Sequence, residues 1–100
     1  MYRDGEGVLQ DYKIAVKWFK HSAVKGNTLA WFNLGAVYAN GQGVLKDNIY
    51  SHMWFNIAAS SGDETARRNR DSIAYQMTPV QIEEAQKLAR ECVRKKYEGC

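Results

Sequence analysis

Along the first quarter of the chain, small and apolar residues fall at Ala15, Trp18, Phe19, Ser22 and Ala23, following Ile14. This i, i+3, i+4, i+7, i+8 spacing predicts one buried helical face. Lys13, Lys17, Lys20 and Lys25 lie off that face, and Gly26-Asn27 stops the helix. Thr28 to Asn40 predicts a complete inner helix with Ala30, Trp31, Leu34, Val37 and Tyr38 as its core positions. Gly35 sits in its middle at a cost of about 1 kcal/mol relative to Ala, which close approach of a partner helix would offset. Gly41-Gln42-Gly43-Val44 forms a turn, and the Asp47 carboxylate caps the next helix. Residues 47–61 then form an outer helix around Trp54, Phe55, Ala58 and Ala59, ended by Ser60-Ser61-Gly62. Asp63 is placed to cap a further helix that starts within residues 64–77. Thr78-Pro79-Val80-Gln81 starts the last one strongly, with Thr as N-cap, Pro at the first helical position and Gln completing a capping box. That helix is expected to run from about Pro79 to Tyr97 with a stripe of Ile82, Ala85, Ala89, Cys92 and Val93, and with Gly99 past its end.

Parts of this pattern occur more than once. Sliding the chain by the distance from Tyr2 to Tyr38 places Gly5 on Gly41, Gly7 on Gly43, Val8 on Val44 and Asp11 on Asp47. The same shift places Trp18-Phe19 on Trp54-Phe55, Ala23 on Ala59, Gly26 on Gly62 and Ala30 on Ala66. Chance does not align two Trp-Phe pairs and three glycine pairs in one register, so this is an internal repeat of helical-hairpin length. By that register Asp4-Gly5-Glu6-Gly7 is a turn following the tail of a helix, and Asp11 is a helix cap. The third copy drifts: Ala66 and Asn69 keep register, whereas Arg70 stands at the Leu34 position and Asp71 at the Gly35 position.

The pattern Ala30-x3-Leu34-Gly35-x2-Tyr38-x2-Gly41-x-Gly43-Val44-x2-Asp47, followed by Trp54-Phe55, Ala58-Ala59 and Gly62, resembles the Sel1-like repeat, a relative of the tetratricopeptide repeats. The resemblance covers most of residues 2–77. It implies an all-α fold, an α-α superhelix (solenoid) of stacked antiparallel helical hairpins closed by a C-terminal capping helix. The expected organisation is one domain over residues 1–100: a partial repeat at 1–26, a complete one at 27–62, a degenerate one at 63–77 and a capping helix at 78–98. An atypical last unit with a polar outer face is how a solenoid closes. The ending Met77-Thr78-Pro79-x-Gln81-Ile82-x-Glu84-Ala85-Gln86 is similar to the C-terminal tail of many bacterial Sel1-like proteins. The resemblance further implies a protein-interaction scaffold, an adaptor that binds a peptide or protein segment in its concave groove. Hydrolase activity has been proposed for some family members, but no enzyme is expected here, because no pocket holding a nucleophile beside His21 or His52 is legible in the sequence.

Composition narrows the picture a little. One hundred residues make one small domain, and three Trp, six Tyr and three Phe supply much of the surface a short solenoid must bury. A net charge of +3 is no nucleic-acid footprint, so no nucleic-acid partner is expected. No apolar run approaches the roughly 18 residues that span a bilayer. Met1-Tyr2-Arg3-Asp4-Gly5 leads straight into the repeat turn, so no signal peptide stands in this chain. The chain begins inside a repeat, as a fragment of a longer solenoid would; a cytoplasmic protein fits, as does a periplasmic or secreted one whose targeting segment was removed. On one continuous helix Cys92 and Cys100 would lie roughly 12 Å apart, too far to bridge. The expectation is a buried Cys92 and a free Cys100, with an intermolecular disulfide through Cys100 as the alternative. Some Sel1-like proteins carry a disulfide within each repeat, and the repeats here lack those cysteines.

Catalytic chemistry finds little support. His21 and His52 have no Cys, Asp or Glu at metal-ligand spacing and are expected to pack at the surface or between helices. No nucleophile–base pair is legible. Glu83 and Glu84 face different directions on a helix, and the glycine pairs lack the Lys-Ser/Thr of a phosphate loop. No cofactor or metal is expected. Arg67-Arg68-Asn69-Arg70 reads as a solvated helix start, salt-bridged to Asp63, Glu64 and Asp71. In tetratricopeptide-like folds the inner helix of each hairpin lines the concave face. Carried over by register, the resemblance places Leu29, Phe32, Ala36 and Asn40 on the groove from one hairpin. Thr65, Arg68, Ser72, Tyr75 and Gln76 line it from the next, with Phe32, Arg68 and Tyr75 as the central set. Asn33 and Asn69 share one repeat position and can bond a peptide backbone or bond within the helical stack. The other expectation is a structural module: Ile14, Trp18 and Phe19 lie partly uncovered at the N-terminal end, and a second chain covers them by stacking or by swapping a hairpin.

Overall fold

The computed structural model describes the backbone of residues 5–100 and the side chains of residues 12–100. The described residues form five α-helices and no strand: α1 (Gly5–Val24), α2 (Thr28–Asn40), α3 (Asn48–Ser60), α4 (Glu64–Ala74) and α5 (Pro79–Arg94). Successive helices α1, α2, α3 and α4 pack each on the one before it, which is the helical solenoid expected from the repeat. The last helix does not extend the row. α5 turns back across α3, with little packing against α4.

This makes α3 the centre of the molecule, with α2, α4 and α5 all against it. The run Ser51-His52-Met53-Trp54-Phe55 is buried without a break, as are Ile57 and Ala58. The outer helix expected to bury one face is therefore enclosed on three sides. Its core neighbours are Ala30, Trp31, Leu34, Val37 and Tyr38 of α2, Ala66 of α4, and Ala89 and Cys92 of α5. Burying each large apolar side chain stabilises the fold by about 1.5–3 kcal/mol.

Gly35 marks a close approach of α2 and α3. A β-carbon there would lie 2.7 Å from the Phe55 ring, and one turn earlier on α3 the Ser51 hydroxyl donates to the Gly35 carbonyl at 2.8 Å. The ends of the helices are equally specific. At Gly26 and Gly62 the chain turns left-handed, with φ of 82° and 104°. Each turn is closed by paired bonds back into the helix, Asn27 N–H to Ser22 and Asp63 N–H to Ala58 being the outer ones. The next residue at once caps the next helix: Asn27 accepts from the Ala30 N–H and Asp63 from the Ala66 N–H. The α2–α3 connection folds back onto α1, where Gly43 sits against the Tyr12 backbone and the Gln42 amide donates to the Tyr12 hydroxyl.

Two expectations fail at the chain's ends. Gly5 to Gly7 open α1, which runs on through Asp11, so there is no turn at Gly5–Gly7 and Asp11 is not a cap. Asp4 and the expected helix tail at Met1 to Arg3 lie outside the described residues. Glycine permits a reversal without compelling it. At Gly41 and Gly43 the reversal is fixed by the Gly41 N–H bond to Val37 and by contact with Tyr12, partners with no described counterpart ahead of Gly5.

At the other end α5 stops at Arg94, before the expected Tyr97, and Cys92 and Cys100 form a disulfide with their Cα atoms 5.8 Å apart. The expected free Cys100, and a dimer through it, are thereby corrected. Lys96 and Tyr97 adopt positive φ, and the Tyr97 N–H bonds to the Cys92 carbonyl, so the chain doubles back instead of rising along the helix. The Tyr97 ring holds this turn down by packing on Trp31, ring centres 4.7 Å apart.

Candidate functional site

Between α2 and α4, over α3, lies a cleft of about 230 Å³. Ala36, Ala39 and Asn40 form one wall, Asn69, Ser72 and Ile73 the other, and Phe55 lies between them. The local sequence explains the shape. Small residues at 36 and 39, a turn apart on α2, leave space that larger side chains would fill. Phe55 is held down because Gly35 has no β-carbon and because Phe32 meets it edge-on, ring centres 5.4 Å apart. The lining carries amides and a hydroxyl but no formal charge, a combination suited to hydrogen-bonding a neutral polar backbone.

Beside the cleft, the α4 cations are largely occupied. Arg67 pairs with Glu64 at 2.6 Å, and Arg70 bonds both Asp71 and the Asn56 side chain of α3. The Arg67 hydrogen bond and charge hold the Glu64 carboxyl below its usual range. Arg68 is exposed and forms no ion pair among the described residues. The Arg70–Asn56 bond ties α4 to α3 at the position where the repeat would otherwise place a leucine.

His52 is 3% exposed, and its Nδ1 has no hydrogen-bond partner among the described residues. Burial pushes its imidazole below the ordinary value of 6.5, and the nearby Arg70 charge adds to that, against a smaller opposing effect of Asp71. His52 is thus a neutral interhelical packing residue. His21 is exposed and stands edge-on to Trp18 at 6.1 Å. Cys92 is committed to the disulfide and offers no thiol.

Of the groove residues expected from the register, Ala36, Asn40, Asn69 and Ser72 come together in the cleft. Leu29, Phe32, Asn33, Arg68 and Tyr75 are not in its lining. Leu29 is 66% exposed, a turn or more N-terminal on α2, while Phe32 is spent on propping Phe55. Asn33 is half-buried, and Thr65 and Gln76 are exposed outside the lining. Tyr75 is 92% exposed because α4 ends at Ala74 and leaves it at the cap, so Phe32, Arg68 and Tyr75 do not form a central set. Phe55, Ala39 and Ile73 also line the cleft, although the register does not place them there. Ala39 and Ile73 lie three and four positions beyond Ala36 and Asn69, which was the available signal. Phe55 carried only the signature of a core position.

A row of antiparallel helices with a cleft across it defines a helical-repeat solenoid. The Sel1 repeat model matches residues 1–27 and 29–63, and the chain belongs to the Sel1 repeat family. Sel1 repeats are generally protein–protein interaction modules. Among solved structures, the chain is similar in fold to c5321, a protective antigen present in uropathogenic Escherichia coli strains and displaying an SLR fold. The TM-score is 0.79 at 23% identity, over 93% of this chain and 22% of that one, so this chain spans about a fifth of that protein's length. No curated protein matches. Among the described residues no helix is long and apolar enough to cross a membrane.

The His52 environment sets a pH dependence of stability. Below 6.5 the unfolded imidazole takes up a proton that the folded one resists, so this contribution is complete above that value and is lost as the pH falls through it. Urea unfolding at pH 7 and pH 5 should therefore show a smaller loss on acidification in His52→Gln than in the wild type. An equal loss in both would remove His52 from the account.

Proposed function

We propose that the chain is an interaction module that binds an extended peptide or protein segment in the α2–α4 cleft. One observation carries the reading: Asn40, Asn69 and Ser72 stand with the apolar Ala36, Ile73 and Phe55 around a single opening. Amide and hydroxyl groups pair with the N–H and C=O of an extended backbone, and the Phe55 floor takes an apolar side chain. The neutral lining makes the backbone, and not a charged terminus, the main polar element recognised. Peptides selected on the wild-type protein from a random library should bind Ser72→Arg and Asn69→Ala at least about tenfold more weakly, a loss of about 1.4 kcal/mol. Tyr75→Ala, outside the cleft, should bind them unchanged. Titration by fluorescence anisotropy measures this, and equal affinity in all four proteins would place binding elsewhere.

A second reading, self-association, is favoured by the N-terminal end. Ile14 and Trp18 are 54% and 64% exposed, whereas Trp54, the repeat counterpart of Trp18, is 1% exposed. An indole uncovered to that degree is an apolar surface that a second helical face can bury. Sedimentation equilibrium should then detect a dimer that Trp18→Glu abolishes. A monomer at every concentration would exclude it.

A further inference from the structure

Because α5 packs on α3 and leaves α4, an open pocket of about 320 Å³ remains between α3 and α5. We propose that it docks an acidic segment of a partner protein, one that carries a single large apolar side chain between its carboxylates. Asn56, Ile57 and Ser60 line the pocket from α3, and Ala89, Arg90 and Val93 line it from α5. It shares no residue with the α2–α4 cleft, so the two surfaces are independent.

The apolar half of the ligand follows from three side chains. Ile57 and Ala89 are buried, whereas Val93, a member of the apolar stripe of α5, stays half-exposed. Ala89 carries only a methyl group and leaves the space open. A volume at the lower end of small-molecule pockets takes one side chain of Leu or Phe size, an anchor that also covers Val93.

The polar half follows from the groups that lack a partner. The Ser60 hydroxyl donates to the Ile57 carbonyl, and the Asn56 side-chain oxygen accepts from Arg70. The side-chain hydrogens left at the pocket are those of the Asn56 amide and the Arg90 guanidinium, which call for an acceptor. Lys87 and Arg94 stand one turn before and after Arg90 along the same side of α5, and all three are exposed. None of the three forms an ion pair among the described residues. Neighbouring acids do not cancel this charge. Glu64 and Asp71 pair with Arg67 and Arg70, and the Asp63 carboxylate caps α4. Glu91 lies with Gly99 and Cys100 on the opposite, Tyr50–Met53 side of α5, and Glu83 lies two turns toward the N-terminus with Pro79 and Val80. Three unpaired cations beside one apolar pocket complement carboxylates on either side of an apolar anchor, and the Arg90 fork can take one of them by paired N–H bonds.

The test is a titration of the full chain with the peptide acetyl-Asp-Asp-Phe-Asp-Asp-amide, followed by amide NMR shifts. Saturable shifts are expected at Ile57, Ser60, Ala89 and Val93. The same peptide with Ser in place of Phe should bind about tenfold more weakly, and so should the Phe peptide to Arg90→Glu. Arg68→Glu makes the same charge change at an exposed α4 residue outside the pocket, and it should leave the affinity unchanged. Four results would overturn the proposal: no saturation, equal affinity for the Phe and Ser peptides, equal affinity of Arg68→Glu and Arg90→Glu, or shifts confined to Asn69 and Ser72 in the α2–α4 cleft.

Discussion

The Phe55 ring occupies the space where any residue other than glycine at position 35 would carry its β-carbon, 2.7 Å away. One turn before it, Ser51 is fully buried and satisfies its hydroxyl on the Gly35 carbonyl. A buried hydroxyl without that acceptor would be costly, and a ring held farther from α2 would leave a void. The pair thus fixes both the distance and the register between α2 and α3. With that distance set, α3 presents its remaining sides to α4 and α5, and the α2–α4 cleft, with Phe55 in its lining, inherits its shape from it. Phe55 lines the α2–α4 cleft, and its neighbour Trp54, about 100° further round the helix, lines a cavity beneath the C-terminal turn.

The connections make that arrangement compact. Gly26-Asn27 and Gly62-Asp63 each end one helix and cap the next within two residues, so the helices have no slack to slide against each other. The reversal at Lys96 and Tyr97 uses the same bonding pattern as those at Gly26 and Gly62, without a glycine. An unbranched residue at positive φ carries a local cost. Here the Tyr97–Trp31 stacking and the Cys92–Cys100 bond offset it, and both come from outside the turn itself.

That difference explains which features were legible in the sequence. Gly26, Gly62, Asn27, Asp47, Asp63 and Thr78 announce helix ends through residue type, and the structure places caps at all the capping residues among them. The α2 core positions were readable from spacing, and the mid-helix Gly35 correctly signalled a close helix approach. The C-terminal reversal was not readable, because Lys96 and Tyr97 look like helix continuation; assuming a continuous helix then excluded the disulfide. The destination of α5 was equally hidden. Of its expected stripe, Ala85, Ala89 and Cys92 are buried and Ile82 partly so, whereas Val93 is 48% exposed, and the stripe does not say that α3 is what buries it. In the cleft, register found the small and polar wall residues, but it overextended to Tyr75 because the repeat's helix length was carried onto an α4 that ends at Ala74.

The central claim is that the Gly35–Phe55 contact sets the α2–α3 packing, and a double-mutant cycle in urea unfolding tests it most directly. Alanine gains about 1 kcal/mol of helix propensity over glycine, yet Gly35→Ala should lower stability by about 1–3 kcal/mol because the buried ring must move. In a Phe55→Leu background, with the ring removed, that loss should largely disappear. The same loss in both backgrounds, or a Gly35→Ala protein more stable than the wild type, would contradict the account.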